Sequence, residues 1–115
     1  MVEPEDLDDL DDHADLDDLL RAVASGHRRH ILVRVWDRER SAGDLAELLE
    51  LAPASVSEHL RVLRKHGLVA MRVDGTFRLY RAVPERLGHL VELLTRVFPG
   101  IEPAGEGGHS QEVGG

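Results

Sequence analysis

One stretch, "SAGDLAELLELAPASVSEHLRVLRKHGLV" from Ser41 to Val69, constrains the fold of this chain more than any other. Ser41 stands three residues ahead of Asp44, the spacing of a capping box, and Leu45, Leu48 and Leu49 follow at helical intervals. This short helix ends near Glu50. Pro53 suits the first residue of the next helix, where its missing N–H has no bond to lose. Ala52 is then a weak N-cap, and Ser55 is an alternative start. Val56, Leu60 and Leu63 recur at i, i+4 and i+7, and Gly67 stops the helix. Two helices this closely joined have the layout of a helix-turn-helix. After Gly67 the period changes: "LVAMRV" and "TFRLYRAV" alternate and flank Asp74-Gly75, a two-residue hairpin signal. A helix-turn-helix followed at once by a β-hairpin is a winged helix.

The rest of the chain supplies the frame. Leu16, Leu20 and Val23, with Leu19 beside them, mark a first helix whose opening turns suit Asp, because acidic groups complement the helix dipole. Ser25-Gly26 interrupts it. A second helix from His27 to Asp37 carries Ile31, Leu32, Val35 and Trp36 on one side, and a last one opens at Pro84 with Leu87, Leu90, Val91, Leu94 and Phe98 on its apolar face. The expected fold is mainly α with a small β-hairpin, in the order α-α-α-α-β-β-α. Residues 1–15 read as a flexible acidic arm, 16–98 as the winged helix-turn-helix domain, and 99–115 as a Gly-rich polar tail with too little apolar content to order itself. At 115 residues one domain is expected. With only four aromatic residues, Trp36, Phe77, Tyr80 and Phe98, its core must be aliphatic.

The formal net charge of −8 argues against a polyanionic partner until its distribution is read. Residues 1–20 hold ten Asp or Glu and no basic residue, whereas all fourteen Lys and Arg lie between 21 and 97 against nine acids. A polyanion responds to the field within roughly 10 Å, so the basic body matters and the whole-chain sum does not. No apolar run approaches a membrane span, and the acidic N-terminus lacks the parts of a signal peptide, so a cytoplasmic location is expected. The absence of cysteine excludes disulfides, thiolate metal sites and a cysteine nucleophile.

The fourth helix is the strongest candidate for chemistry. With Val56, Leu60 and Leu63 facing the core, its other side presents Ser55, Ser57, Glu58, Arg61 and Lys65, with His59 and Arg64 on the flanks. Short hydroxyls and arginines near the N-terminal half can reach base edges in a major groove, and Arg64 and Lys65 can neutralise phosphates. Arg72, Arg78 and Arg81 on the hairpin add a wing that can straddle a phosphate backbone. His89 and Glu92, three apart on the last helix, form half of a conceivable metal site; His13 among Asp11, Asp12 and Asp15 is a looser one, and His27 and His30 read as ordinary surface residues. No phosphate loop, nucleophile elbow or ordered set of Ser, His and acid is present, so an enzyme is not expected and no cofactor is implied.

These residues resemble the ArsR-type winged helix-turn-helix transcriptional regulators over about Leu20 to Leu94. The likeness rests on "LLRAVASGHRRHIL", on the run Val56-Ser57, His59-Leu60, Leu63 and Gly67-Leu68-Val69, and on "RVDGTFRLYRA". It implies a sequence-specific regulator of double-stranded DNA, a repressor, working as a homodimer on a pseudo-palindromic operator. The first and last helices of the two subunits would pack together, and Leu16, Leu19, Leu20, Leu87, Leu90, Val91 and Leu94 form the apolar stripes expected to do so. The family's metal ligands are missing: no cysteine lies in Ser41 to Ala46, and Pro84, Arg86, Val97 and Gly100 hold the last-helix positions. Small or turn-forming residues at the start of the fourth helix and the end of the third are replaced by Ala52 and Glu50. Two other readings stay open: a winged-helix protein-interaction module, and a metal-responsive regulator using His89 and Glu92. The opening acidic run is either a solubilising cap of the first helix or an arm, Asp6 to Asp12, that competes with phosphates for the basic face.

Overall fold

The computed structural model describes residues 4–102 and residue 104. Five helices and three short strands follow one another as α1 (Pro4–Val23), α2 (Gly26–Arg34), β1 (Arg40–Ser41), α3 (Ala42–Leu49), α4 (Pro53–Lys65), β2 (Val69–Asp74), β3 (Phe77–Ala82) and α5 (Pro84–Val97). The arrangement is the expected winged helix-turn-helix with one addition, the strand β1. That strand pairs antiparallel with β3, Arg40 opposite Tyr80 and Ser41 opposite Leu79, giving a sheet in the order β1-β3-β2. Two residues are too few to show an alternating pattern, so no sequence signal marks it.

Local chemistry explains the boundaries. α1 starts at Pro4, well ahead of Leu16, so the backbone of the acidic run is helical where an irregular arm was expected. Proline at the opening and a succession of carboxylates near the positive end both favour helix there. The expectation that Asp6 to Asp12 compete with phosphates rests on side chains outside the described residues, as does the tail beyond residue 104. At its other end α1 is closed by arginines of α2. Arg28 donates from Nε to the Ala22 carbonyl at 2.7 Å and from Nη2 to the Arg21 carbonyl at 3.0 Å, and Arg29 Nη1 donates to the Val23 carbonyl at 2.8 Å. These carbonyls lie in the last turn of α1, where the regular i→i+4 ladder runs out.

α2 starts on Ser25, whose Oγ accepts from the Arg28 amide at 3.2 Å, and stops at Arg34, three residues before the expected Asp37. Val35 remains buried while Trp36 turns out to 41% exposure. Ser41 caps α3 by accepting from the Asp44 amide at 3.1 Å, as its spacing predicts. The helix closes on Glu50 in the left-handed region, φ 56°. α4 starts at Pro53 on an Ala52 that makes no side-chain cap, and Gly67 ends that segment with φ +76°.

The hairpin turn lies one residue later than the Asp74-Gly75 signal. Asp74 pairs with Phe77, so Gly75 and Thr76 form the two-residue loop, and only Gly75, at φ +65°, takes the left-handed region. A glycine-first loop spares the other residue a positive φ, which Asp-Gly at the centre would not.

The core is aliphatic. Leu19, Ile31, Val35, Leu45, Val56, Leu60, Leu63, Leu68 and Leu93 are fully buried, and no polar or charged residue is buried among the described residues. The expected dimer stripes divide here. Leu16 and Leu19 of α1 and Leu90 of α5 belong to this core, because the two helices pack on each other within one chain. Leu20 and Val91 are exposed, at 40% and 58%, while Leu87 and Leu94 are half-buried at the core's edge.

Candidate nucleic-acid interface

α4 separates its faces cleanly. Val56, Leu60 and Leu63 are buried, and Ser55, Ser57, Glu58, Arg61, Arg64 and Lys65 all stand exposed on the opposite side. His59 does not join them. Half-buried, its ring centroid lies 5.8 Å from that of His27, and its Nδ1 is 3.5 Å from Arg28 Nη1. Desolvation, reinforced by the Arg28 charge, holds its pKa below the ordinary histidine range. A neutral His59 turned toward α2 is better suited to packing than to a phosphate.

The wing approaches α4 through one of its faces only. The register Val69 with Ala82, Met71 with Tyr80 and Val73 with Arg78 puts these six on the side that carries the buried Val69 and Ala82. Arg78 and Tyr80 therefore meet Ser57, Leu60, Arg61, Arg64 and Lys65 around a concavity of about 570 Å³ between helix and hairpin. A neighbouring hollow of about 520 Å³ shares Ser57, Arg78 and Tyr80 and reaches Ser41, Gly43 and the hairpin tip at Thr76 and Phe77. Four cations thus line a trough that runs from α4 to the wing tip.

Arg72 and Arg81 lie on the other face of the hairpin, in register with Leu79 and Ala70. Arg72 is gripped by Glu39, Nε to Oε2 at 2.6 Å and Nη2 to Oε1 at 2.8 Å, and has Asp74 at 4.0 Å. The hydrogen bonds from Arg72 hold the Glu39 carboxyl below its usual range, with Arg81 contributing through its charge. Of the three wing arginines only Arg78 shares a surface with α4. Tyr80, Thr76 and Phe77 join that surface although sequence reasoning passed over them. Strand alternation from Arg78 identifies Tyr80; the tip residues needed the turn position, which the Asp-Gly signal misplaced.

Arg61, which lines the trough, is paired with Glu58 on the exposed face of α4. Arg61 donates from Nε to Glu58 Oε1 at 3.1 Å and from Nη2 to Oε2 at 2.7 Å, and these bonds hold the Glu58 carboxyl below its usual range. Both side chains remain more than half exposed.

The histidine and carboxylate on α5 form a brace. Asp15 of α1 accepts from Arg86 Nη2 at 2.7 Å and faces His89 Nε2 at 3.0 Å, while His89 Nδ1 lies 3.5 Å from Glu92. The two ring nitrogens thus address different carboxylates on opposite sides of the imidazole, and one ion cannot take both. No group of three candidate ligands fit to hold a metal occurs among the described residues. Arg86 also donates from Nε to the His66 carbonyl at 2.8 Å, tying α5 to the C-terminal end of α4.

Known proteins share this architecture. The pattern of the family described as "Bacterial regulatory protein, arsR family" matches residues 25–70. The transcriptional activator HlyU of Vibrio cholerae is 36% identical over 80 residues, which cover 70% of this chain and 74% of the relative. Its structure in the reduced form superposes with a TM-score of 0.63 at 33% identity, covering 80% of this chain and 97% of that one. The transcriptional repressor SmtB of Mycobacterium tuberculosis is 32% identical over 74 residues, 64% of this chain and 55% of the relative. The homodimeric winged helix-turn-helix DNA-binding domain of Mb0332 from Mycobacterium bovis shares the fold, with a TM-score of 0.62 at 23% identity over 89% of this chain and 93% of that one. The chain belongs to the ArsR family: it is a transcriptional regulator with a winged helix-turn-helix DNA-binding domain.

Proposed function

We propose that this ArsR-family regulator is a repressor that acts as a homodimer, each subunit laying α4 in one of two successive major grooves of a pseudo-palindromic operator. Half-site centres are then about one helical turn apart, roughly 10 to 11 base pairs. The observation that carries the reading is the trough shared by α4 and the wing, where Arg61, Arg64, Lys65 and Arg78 converge with Ser57. Base-edge contacts fall to Ser55, Ser57 and Arg61, with Glu58 paired to Arg61 beside them, and phosphate contacts to Arg64, Lys65 and Arg78. Arg72 and Arg81 serve the far side of the wing, and His59 supports the helix from behind.

Dimerisation is assigned to what α1 and α5 leave uncovered: Leu20, Leu87, Val91 and Leu94, with Phe98 at 54% exposure extending the patch. The homodimeric state named for Mb0332 supports this assembly. Repression follows SmtB, while the name of HlyU keeps activation as the second reading. A metal is not assigned a role, since the two ring nitrogens of His89 face different carboxylates, Asp15 and Glu92, and Asp15 is itself held by Arg86.

Selection from a random duplex pool tests binding, symmetry and spacing together. Enrichment of a palindrome with half-sites near one turn apart is the expected result, and a pool left unenriched removes the reading. Placing the selected operator across a promoter in a transcription assay then separates repression from activation. Titrating zinc into the chelator-treated protein is expected to leave operator affinity unchanged.

A further inference from the structure

An acid on a surface meant for a polyanion calls for a reason. Glu58 lies on the exposed face of α4, in direct contact with Arg61, and its charge opposes every phosphate that approaches. If the surface served only general attraction, Glu58 would be a defect. The details of its contact suggest what it contributes. A guanidinium has five N–H donors in a rigid plane. Glu58 takes two of them from the side, one on Nε and one on Nη2. Of the three left over, one on Nη1 and one on Nη2 make up the terminal edge of the fork, and the second on Nη1 points back toward Cδ. That edge matches the two acceptors, O6 and N7, which guanine alone presents together in the major groove.

We infer that Glu58 is a positioning residue that holds the Arg61 side chain by its Nε–Nη2 edge so that the terminal edge reads one guanine in each operator half-site. This rests on the assignment of α4 to the major groove made above. A free arginine on this face would have phosphates, the neighbouring trough and several bases within its reach. Fixing it by one edge removes most of those choices before DNA arrives, so less rotamer freedom is lost on binding. General affinity falls as a consequence, because the carboxylate repels the backbone, and discrimination rises. Glu58 thus sets specificity against affinity.

The two effects can be pulled apart with two substitutions, Glu58→Gln and Glu58→Ala, both at an exposed position where folding should be unaffected and is checked by thermal melting. For the wild-type protein, replacing the guanine of the selected operator by adenine is expected to weaken binding roughly ten-fold or more. Glu58→Ala should reduce that penalty to about two- or three-fold, and Glu58→Gln, which keeps one acceptor for the guanidinium, should fall between. Affinity for random duplex should rise about several-fold at low salt in both variants alike, since both remove the charge. Arg61→Ala should abolish the preference for the same guanine. The inference is overturned if Glu58→Ala keeps the full guanine preference. It is equally overturned if the preference lost on removing Glu58 is for a cytosine, the mark of a carboxylate reading a base itself. A wild-type pool that yields no enriched sequence sinks this inference together with the functional reading beneath it, whereas a palindrome whose guanine preference survives in Glu58→Ala sinks the inference alone.

Discussion

Among the places where this molecule sets an arginine against a carboxylate, two use the pair in opposite ways. On α4, Arg61 and Glu58 are neighbours three residues apart, with side chains 64% and 58% exposed, so their contact joins nothing that the helix has not already joined. At the seam of α1 and α5, Arg86 and Asp15 come from distant parts of the chain, are 28% and 31% exposed, and bind two helices together. A pair formed within one helix in open water adds little to stability, commonly less than 1 kcal/mol. It stays available to an outside ligand. A pair between elements is committed to the fold, and the more buried it is, the more its removal costs. On the proposed function the trough and the seam divide the work of the domain between recognition and architecture, and substitutions can test that division.

The largest effect should come from the seam's apolar floor. Leu19→Ala or Leu93→Ala, each at a fully buried site, should destabilise the domain by about 2–5 kcal/mol in denaturant titration. A loss under about 1 kcal/mol at both would mean that α1 and α5 do not pack as described. Next is Arg86→Ala, which removes the Asp15 pair and the bond to the His66 carbonyl. At this partial exposure a loss of about 1–2 kcal/mol is expected in the same titration.

Arg61→Ala and Lys65→Ala should by contrast leave the melting temperature unchanged. The first should weaken operator binding about ten-fold with relaxed base preference, and the second should weaken all duplexes alike and lower the salt slope by about one. If Arg61→Ala melts earlier and binds as before, the roles of the two regions are exchanged. Smaller still is Glu50→Gly, which relieves a side chain at φ 56° and should stabilise the domain by about 1 kcal/mol.

The smallest effect is that of pH on His59. Its folded pKa is depressed, so the folded state takes up a proton less readily than the unfolded chain. The stability linked to it is complete above the unfolded value of about 6.5 and is lost as pH falls through the folded value. His59→Gln should flatten that part of the stability profile. An unaltered profile would mean that other groups govern it.

The same contrast explains what could be read from the sequence. α4 was legible down to its faces, because Val56, Leu60 and Leu63 repeat at helical spacing and every residue between them is polar or small except Val62. Nothing else competes for that stripe. α1 and α5 offer equally clear stripes, yet periodicity reports only that a face is covered and not by what. Leu16, Leu19 and Leu90 turned out to be covered by their own chain. The α1 start was misplaced for a related reason: the acidic run has a helical dipole preference and a proline opening, but its composition reads as a solvated arm. Arg72 and Arg78 looked equivalent until strand register put them on different faces, and that register depends on a turn position one residue from the expected one. His59, flanking the recognition face in sequence, belongs to the contact with α2 because of Arg28, a partner 31 residues away.

Arg86 touches neither the trough nor the wing, yet its Nε donates to the His66 carbonyl at the end of α4 while its Nη2 is fixed to Asp15 of α1. Gly67 makes room for it: a Cβ there would come within 3.4 Å of Arg86 Nε. The C-terminal end of α4 is therefore tied to the rear of the domain through one side chain. A change at Arg86 is felt at the end of α4 as well as at the seam, while every side chain that lines the trough stays as it was.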